Sequence, residues 1–149
     1  MSLQFLGARS PGEYNEENLK FDYNKSIENL KGSTILLVED EEEIREAEKE
    51  LFEIMGFKVI EAKNALEAIN ILKKLKNNID YIFLDWKMPV MNGEETIYKL
   101  NEMNVKIPVF VVSGAFDDKI FDLKNKGLIK DIISKPFTKE TILKKLFFA

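Results

Sequence analysis

A chain of 149 residues is the size of one domain with little left over. Its 22 Lys+Arg against 26 Asp+Glu leave a formal charge of −4, which gives no basic field for nucleic acid or anionic lipid, and 45% apolar residues exclude global disorder. Cys and His are both absent, which excludes disulfide scaffolds, zinc fingers, Cys or His nucleophiles and imidazole acid–base chemistry, and leaves carboxylate and carbonyl oxygens, suited to a hard cation such as Mg2+, as the only metal ligands.

Residues 1–31 read as an N-terminal linker or tail. Gly7-Ala8-Arg9-Ser10-Pro11-Gly12 is turn chemistry, apolar residues are sparse after it, and a helical turn or two is expected near Ser26 to Leu30. Met1 to Ser10 has no basic region and only a short apolar patch, so it is not a secretory signal. Asn24-Lys25-Ser26 matches a glycosylation sequon without further support, and the expected location is the cytoplasm. No run of about 18 apolar residues suggests a membrane span.

From residue 32 to 149 the pattern is regular. Thr34 to Val38 is an apolar run ending in Glu39-Asp40, followed by Ile44, Ala47, Leu51, Ile54 and Met55 at helical spacing, closed by Gly56. Phe57 to Ala62 alternates as a strand. Ala65, Ala68, Ile69, Leu72 and Leu75 form the next helix, and Tyr81 to Leu84 a run ending in Asp85. A Pro89…Gly93 loop precedes a helix carrying Ile97, Leu100 and Met103. Ile107 to Val112 ends in Ser113-Gly114, a polar helix spans about 117–126, and Ile129 to Ile133 ends at Ser134-Lys135-Pro136. Thr138 caps a final helix reaching about Phe147. This is β-α repeated five times. Parallel strands need crossover helices, and right-handed crossovers give a doubly wound α/β sheet covered on both faces.

In such a sheet the strand ends converge on one edge. Glu39, Asp40, Asp85, Ser113 and Lys135 would meet there. Three carboxylates at one edge repel, and a divalent cation together with the Lys135 ammonium relieves that repulsion. A hard-cation site facing a carboxylate, an ammonium and a hydroxyl suits phosphoryl chemistry.

Thr34-Ile-Leu-Leu-Val-Glu-Asp40, Phe83-Leu-Asp85-Trp-Lys-Met-Pro89 with Met91-Asn-Gly93, Val111-Val-Ser113-Gly114 and Ser134-Lys135-Pro136-Phe137 resemble the receiver domain of two-component response regulators. The resemblance runs from about Thr34 to Phe147, with spacings of 45, 28 and 22 residues between Asp40, Asp85, Ser113 and Lys135. It implies a flavodoxin-like (β/α)5 fold with strand order 2-1-3-4-5. It also implies that Asp85 accepts a phosphoryl group from the phosphohistidine of a histidine kinase or phosphotransfer domain. By the same resemblance Asp40 and Asp85 ligate Mg2+, Glu39 assists through water, and the Lys87 backbone carbonyl is a further ligand. Lys135 pairs with Asp85 at rest and with the phosphoryl group afterwards, Ser113 moves to hydrogen-bond that group, and the Lys135-Pro136 bond is cis. The implied outcome is a protein-interaction switch, with a homodimer through the fourth helix, fifth strand and fifth helix among its forms. One position departs from the family: Ile132 stands where Tyr or Phe is usual, which puts the usual output coupling in doubt.

Other residues carry plainer expectations. Glu41 to Glu43 read as a solvated first turn, Trp86 as a lid or surface aromatic, and Lys87 as tuning the phosphoryl lifetime. Phe110, Phe121 and Phe147 read as core, and Phe148 is left open. The alternative function is a degenerate receiver that binds partners without phosphorylation. An aspartyl phosphatase would want a second acid where Lys87 stands, and a flavin-binding loop would not be Glu39-Asp-Glu-Glu-Glu43. A chain ending near the fifth helix fits either the C-terminal receiver of a hybrid sensor kinase or a single-domain regulator without a DNA-binding output.

Overall fold

The computed structural model describes residues 28–147. Five strands, β1 (Thr34–Val38), β2 (Lys58–Ala62), β3 (Tyr81–Asp85), β4 (Val109–Ser113) and β5 (Asp131–Ser134), alternate with α1 (Glu42–Ile54), α2 (Ala65–Leu75), α3 (Gly93–Glu102), α4 (Asp118–Asn125) and α5 (Lys139–Phe147). All pairings are parallel and the order is β2-β1-β3-β4-β5, the flavodoxin-like arrangement.

The strands alternate between two cores because successive side chains point to opposite faces. Leu36, Val38, Ile82, Leu84, Val109, Val111 and Ile132 pack under α2, α3 and α4 with Ala68, Leu72, Ile97 and Ile120. Ile35, Leu37, Phe83, Phe110, Val112 and Ile133 pack under α1 and α5 with Phe52, Ile142 and Leu146. Both faces being covered explains why the strands read as unbroken apolar runs. Phe83 stacks on Phe110 at 5.2 Å and meets Phe52 at 4.8 Å, so one aromatic chain joins β4, β3 and α1.

Local sequence sets the helix ends. The side chains of Asn64, Asn92, Asp117 and Thr138 accept hydrogen bonds from the backbone N–H groups of Glu67, Glu95, Ile120 and Thr141, satisfying donors at the starts of α2 to α5. Past α1, Gly56 takes φ +100, a left-handed conformation that turns the chain into β2.

Three side chains depart from expectation. The α1 stripe is turned: Phe52 is fully buried and Met55 nearly so, while Ile54 is 73% exposed. Phe121 is exposed rather than core, because Ile120 and Leu123 already fill the buried line of α4 and residue 121 lies about 100° around the helix. It packs edge-on against Phe116 at 5.9 Å. Phe147 is 37% exposed at the end of α5. The strand following Ile107 starts later than read, at Val109, and β5 starts at Asp131 rather than Ile129. Of the expected linker, residues 28–31 are described: Leu30 packs against the α1/α5 core, and the following Gly32 N–H donates to the Gly56 carbonyl at 2.9 Å. The remaining linker, the sequon and Phe148 lie outside the described residues. Among the described residues no helix is long and apolar enough to cross a membrane.

Candidate functional site

Parallel strands deliver their C-terminal residues to one edge, and the register fixes which ones meet. Asp85 lies level with Val112, and Ser113 with Ser134, so β3, β4 and the segment leaving β5 converge. The Glu39 N–H donates to the Ala62 carbonyl at 3.1 Å, which carries the β1 ladder one residue further. The Trp86 N–H does the same toward Val112 at 3.0 Å. Glu39, Asp85 and Trp86 therefore sit on ladder-held backbone.

Carboxylate oxygens of Glu39, Asp40 and Asp85 lie within 4.8 Å of one another. Glu39 is 1% exposed, Asp85 7%, and Asp40 half-buried. Lys135 faces them: its Nζ donates to Glu39 Oε2 at 2.7 Å and lies 3.4 Å from Asp85 Oδ1. The nearer resting partner of Lys135 is thus Glu39, with Asp85 second. Arg45 steadies the cluster from α1, donating from Nη1 to the Glu39 carbonyl at 3.0 Å while its Nε reaches Glu61 at 3.3 Å. The Lys135-Pro136 peptide is cis, and the Lys135 N–H donates to the Ser113 carbonyl at 2.9 Å. The Ser113 hydroxyl donates to the Ala115 carbonyl, and the Ala115 N–H donates back to Ser113 Oγ at 3.2 Å.

This crowding shifts protonation. Burial, then the Glu39 charge, pushes the Asp85 carboxyl up to about 6, with Lys135 opposing. Burial alone would lower the Lys135 ammonium, but the Glu39 hydrogen bond and the Asp85 charge outweigh it and raise the group. An acidic pocket strained in this way, built entirely of hard oxygen donors, could hold a divalent cation.

Three residues take roles that sequence reasoning did not assign. Glu48 on α1 shares a cavity of about 560 Å³ with Ile44, Leu51, Lys135 and Phe137. Burial pushes its carboxyl up to about 7 against the opposing charge of Lys135. A carboxylate set among Ile44, Ala47 and Leu51 was the available signal. Trp86 is 7% exposed, not a surface aromatic: its indole N–H donates to Asp117 Oδ2 at 3.2 Å. Asp117 had shown itself only as part of a polar helix. Lys87 is exposed beside a cavity of about 500 Å³ lined also by Trp86, Asn92, Glu94, Asp117 and Lys119. Ile132 is buried under the α4 side, 7% exposed.

A sequence model of the family described as the response regulator receiver domain matches residues 35–147. The chain is 34% identical over 116 residues to a cyclic di-GMP phosphodiesterase of Thermotoga maritima, covering 78% of this chain and 30% of that protein. It is 34% identical over 119 residues to the phosphate regulon transcriptional regulatory protein PhoB of Pseudomonas aeruginosa, covering 77% and 50%. Over 110 residues it is 30% identical to the autoinducer 1 sensor kinase/phosphatase LuxN of Vibrio campbellii, covering 74% and 13%. The chain therefore spans half or less of these relatives' own lengths. Among solved structures, a receiver domain protein from Clostridium thermocellum superposes with a TM-score of 0.70 at 26% identity, covering 76% of this chain and 90% of that one. A CheY-like receiver domain protein from Methanospirillum hungatei gives 0.66 at 28% identity, covering 78% and 92%. Motifs, strand order and acidic edge all agree with these matches, and the chain belongs to the response regulator receiver domain family of two-component systems, a receiver module rather than a classical enzyme.

Proposed function

We propose that this receiver accepts a phosphoryl group on Asp85 from the phosphohistidine of a histidine kinase or phosphotransfer domain, in a Mg2+-dependent reaction. The observation that carries the reading is a buried, ladder-held Asp85 within reach of two further carboxylates and of Lys135. An ionised Asp85 oxygen attacks phosphorus, the P–N bond breaks with its electron pair staying on the imidazole, and a P–O bond to Asp85 forms. Hydrolysis reverses this when water attacks phosphorus, inorganic phosphate departs and the carboxylate is regenerated. Asp40 and Asp85 would hold the cation, with Glu39 through water and the Lys87 backbone carbonyl as a further ligand. When bound, Mg2+ supplies neutralisation of the phosphoryl oxygens. Lys135 exchanges part of its Glu39 contact for the phosphoryl group, and Ser113 turns its hydroxyl from Ala115 toward it. The same reading takes residues 32–149 as the receiver and 1–31 as a linker or tail, in the cytoplasm. On this reading the parent protein is a sensor kinase or a response regulator that carries this module, and the surface of α4, β5 and α5 is the face that switches or dimerises.

Incubation with acetyl phosphate and Mg2+ followed by intact mass tests the reading. Wild type gains one phosphoryl group, while Asp85→Asn or removal of Mg2+ abolishes the gain. Unmodified wild type would instead favour a receiver that acts only by binding partners.

A further inference from the structure

We propose that Trp86 carries the state of Asp85 to the start of α4 through its hydrogen bond with Asp117, an inference that rests on Asp85 being the phosphoacceptor. Trp86 directly follows Asp85 and contacts β4, the start of α3 and the cap of α4. Its N–H is held by the Val112 carbonyl at 3.0 Å, and its carbonyl accepts from the Gly93 N–H at 3.0 Å. Its ring lies so close over the start of α3 that a Cβ on Gly93 would fall 2.5 Å from Cε3. Its indole N–H ends on Asp117 Oδ2 at 3.2 Å. The other oxygen of that carboxylate, Oδ1, caps α4 by accepting from the Ile120 N–H at 3.1 Å. One carboxylate is thus shared between the residue next to Asp85 and the first turn of α4.

The shared carboxylate has leverage because the first turn of α4 has few other described anchors, its later part being held by the Lys124–Asp131 ion pair at 2.9 Å. The helix has eight residues, of which Ile120 and Leu123 are the buried ones. Near its start the described ion pair is Lys119 with Glu94 at 3.6 Å, and the Lys119 side chain is 68% exposed. The loop from β4 to α4 is held at both ends by polar contacts that answer to the site. At one end Ser113 holds the Ala115 backbone, and at the other Trp86 holds Asp117. Recruiting the Ser113 hydroxyl to a phosphoryl oxygen frees Ala115, two residues before Asp117. The loop then shifts, the Trp86–Asp117 bond opens, and the first turn of α4 loosens. The side chain of Ile132, buried beneath α4, has no donor or acceptor with which to answer the site. The indole therefore supplies a polar link that this aliphatic side chain does not. Such a link is a claim about coupling, so the experiment must measure coupling rather than proximity.

Two variants break the bond while sparing its surroundings. Trp86→Phe keeps a ring over Gly93 and removes the indole N–H. Asp117→Asn keeps a good helix cap but offers one oxygen for two donors. The full chain is treated with acetyl phosphate and Mg2+, uptake is followed by intact mass, and exchange of the Ile120 amide is followed by hydrogen exchange. In wild type, uptake speeds Ile120 exchange by roughly tenfold or more, the size expected for losing a hydrogen bond to a charged group. Both variants take up the phosphoryl group and keep the Ile120 cap, but respond at Ile120 by less than about threefold because the indole link is gone, well short of that loss. Either variant keeping the full wild-type response overturns the inference, as does a wild type that is modified without a change at Ile120. Loss of uptake in both variants overturns it too, since Trp86 would then belong to transfer rather than to readout. A wild type that gains no phosphoryl group is a different failure: it removes the phosphoacceptor reading itself and this inference with it.

Discussion

Asp85 is costly in its ionised form. Its carboxyl rises from 3.8 to about 6 on folding, chiefly through burial and then the Glu39 charge. Each pKa unit corresponds to about 1.4 kcal/mol. The folded pKa lies above the unfolded one, so this group's contribution is fully favourable below about 4 and is lost as pH rises through about 6. Asp85→Asn removes the charge without changing shape. In metal-free buffer it should be more stable than wild type by about 2 kcal/mol at pH 7, with the gain shrinking toward pH 4. Urea unfolding at both pH values measures this, and an equal difference at both would show that charge is not the cause. Much of this cluster was legible in sequence because Glu39, Asp40, Asp85 and Lys135 each follow an apolar run. The preference of Lys135 for Glu39 was not legible, since it depends on tenths of an ångström set by the sheet.

At the scale of elements, the start of α3 depends on the absence of one side chain. A Cβ on Gly93 would meet Trp86 Cε3 at 2.5 Å and the Trp86 carbonyl at 3.0 Å, and neither the buried ring nor the backbone can yield cheaply. Ala has better helix propensity by about 1 kcal/mol in a helix interior, but this is the first helical residue, where little of that gain applies. Gly93→Ala should therefore destabilise by about 1–3 kcal/mol. It should also shift the emission of Trp86, the chain's single Trp. Gly114→Ala is the contrast: nothing lies within 4 Å of its Cβ and its φ is not positive, so both readouts should stay close to wild type. The Thr138 cap was legible in sequence because a cap is a local bond. The burial of Trp86 was not, because it requires Gly93 beneath it and Asp117 beyond it, which are 7 and 31 positions away.

The whole molecule is two cores sharing one sheet. Phe83 sits fully buried on β3, between the Phe110 and Phe52 rings. Truncating it leaves a cavity that neighbouring ladders prevent from collapsing. Phe83→Ala should cost about 3–5 kcal/mol, a large share of the roughly 5–15 kcal/mol typical of a domain. The urea midpoint should fall with little change in slope. A loss under about 1 kcal/mol would mean that the core repacks freely. The surface of α4, β5 and α5 has a different character: Phe116 and Phe121 are exposed, and Asp131 holds Lys124 and Lys145 at 2.9 Å each. The expectation that Phe121 is core failed there because apolar composition does not say which side of a helix faces the sheet.

Sequence alone determined the order and type of elements, the parallel sheet and the residues at its acidic edge. Those follow from periodicity and strand ends, which are properties of neighbours along the chain. Tertiary structure alone decided which partner Lys135 takes, that Glu48 lines one cavity with Lys135, that Trp86 is buried, and that its indole N–H reaches the cap of α4. Each of these is a contact between segments far apart in sequence, fixed only when both cores close on the same sheet.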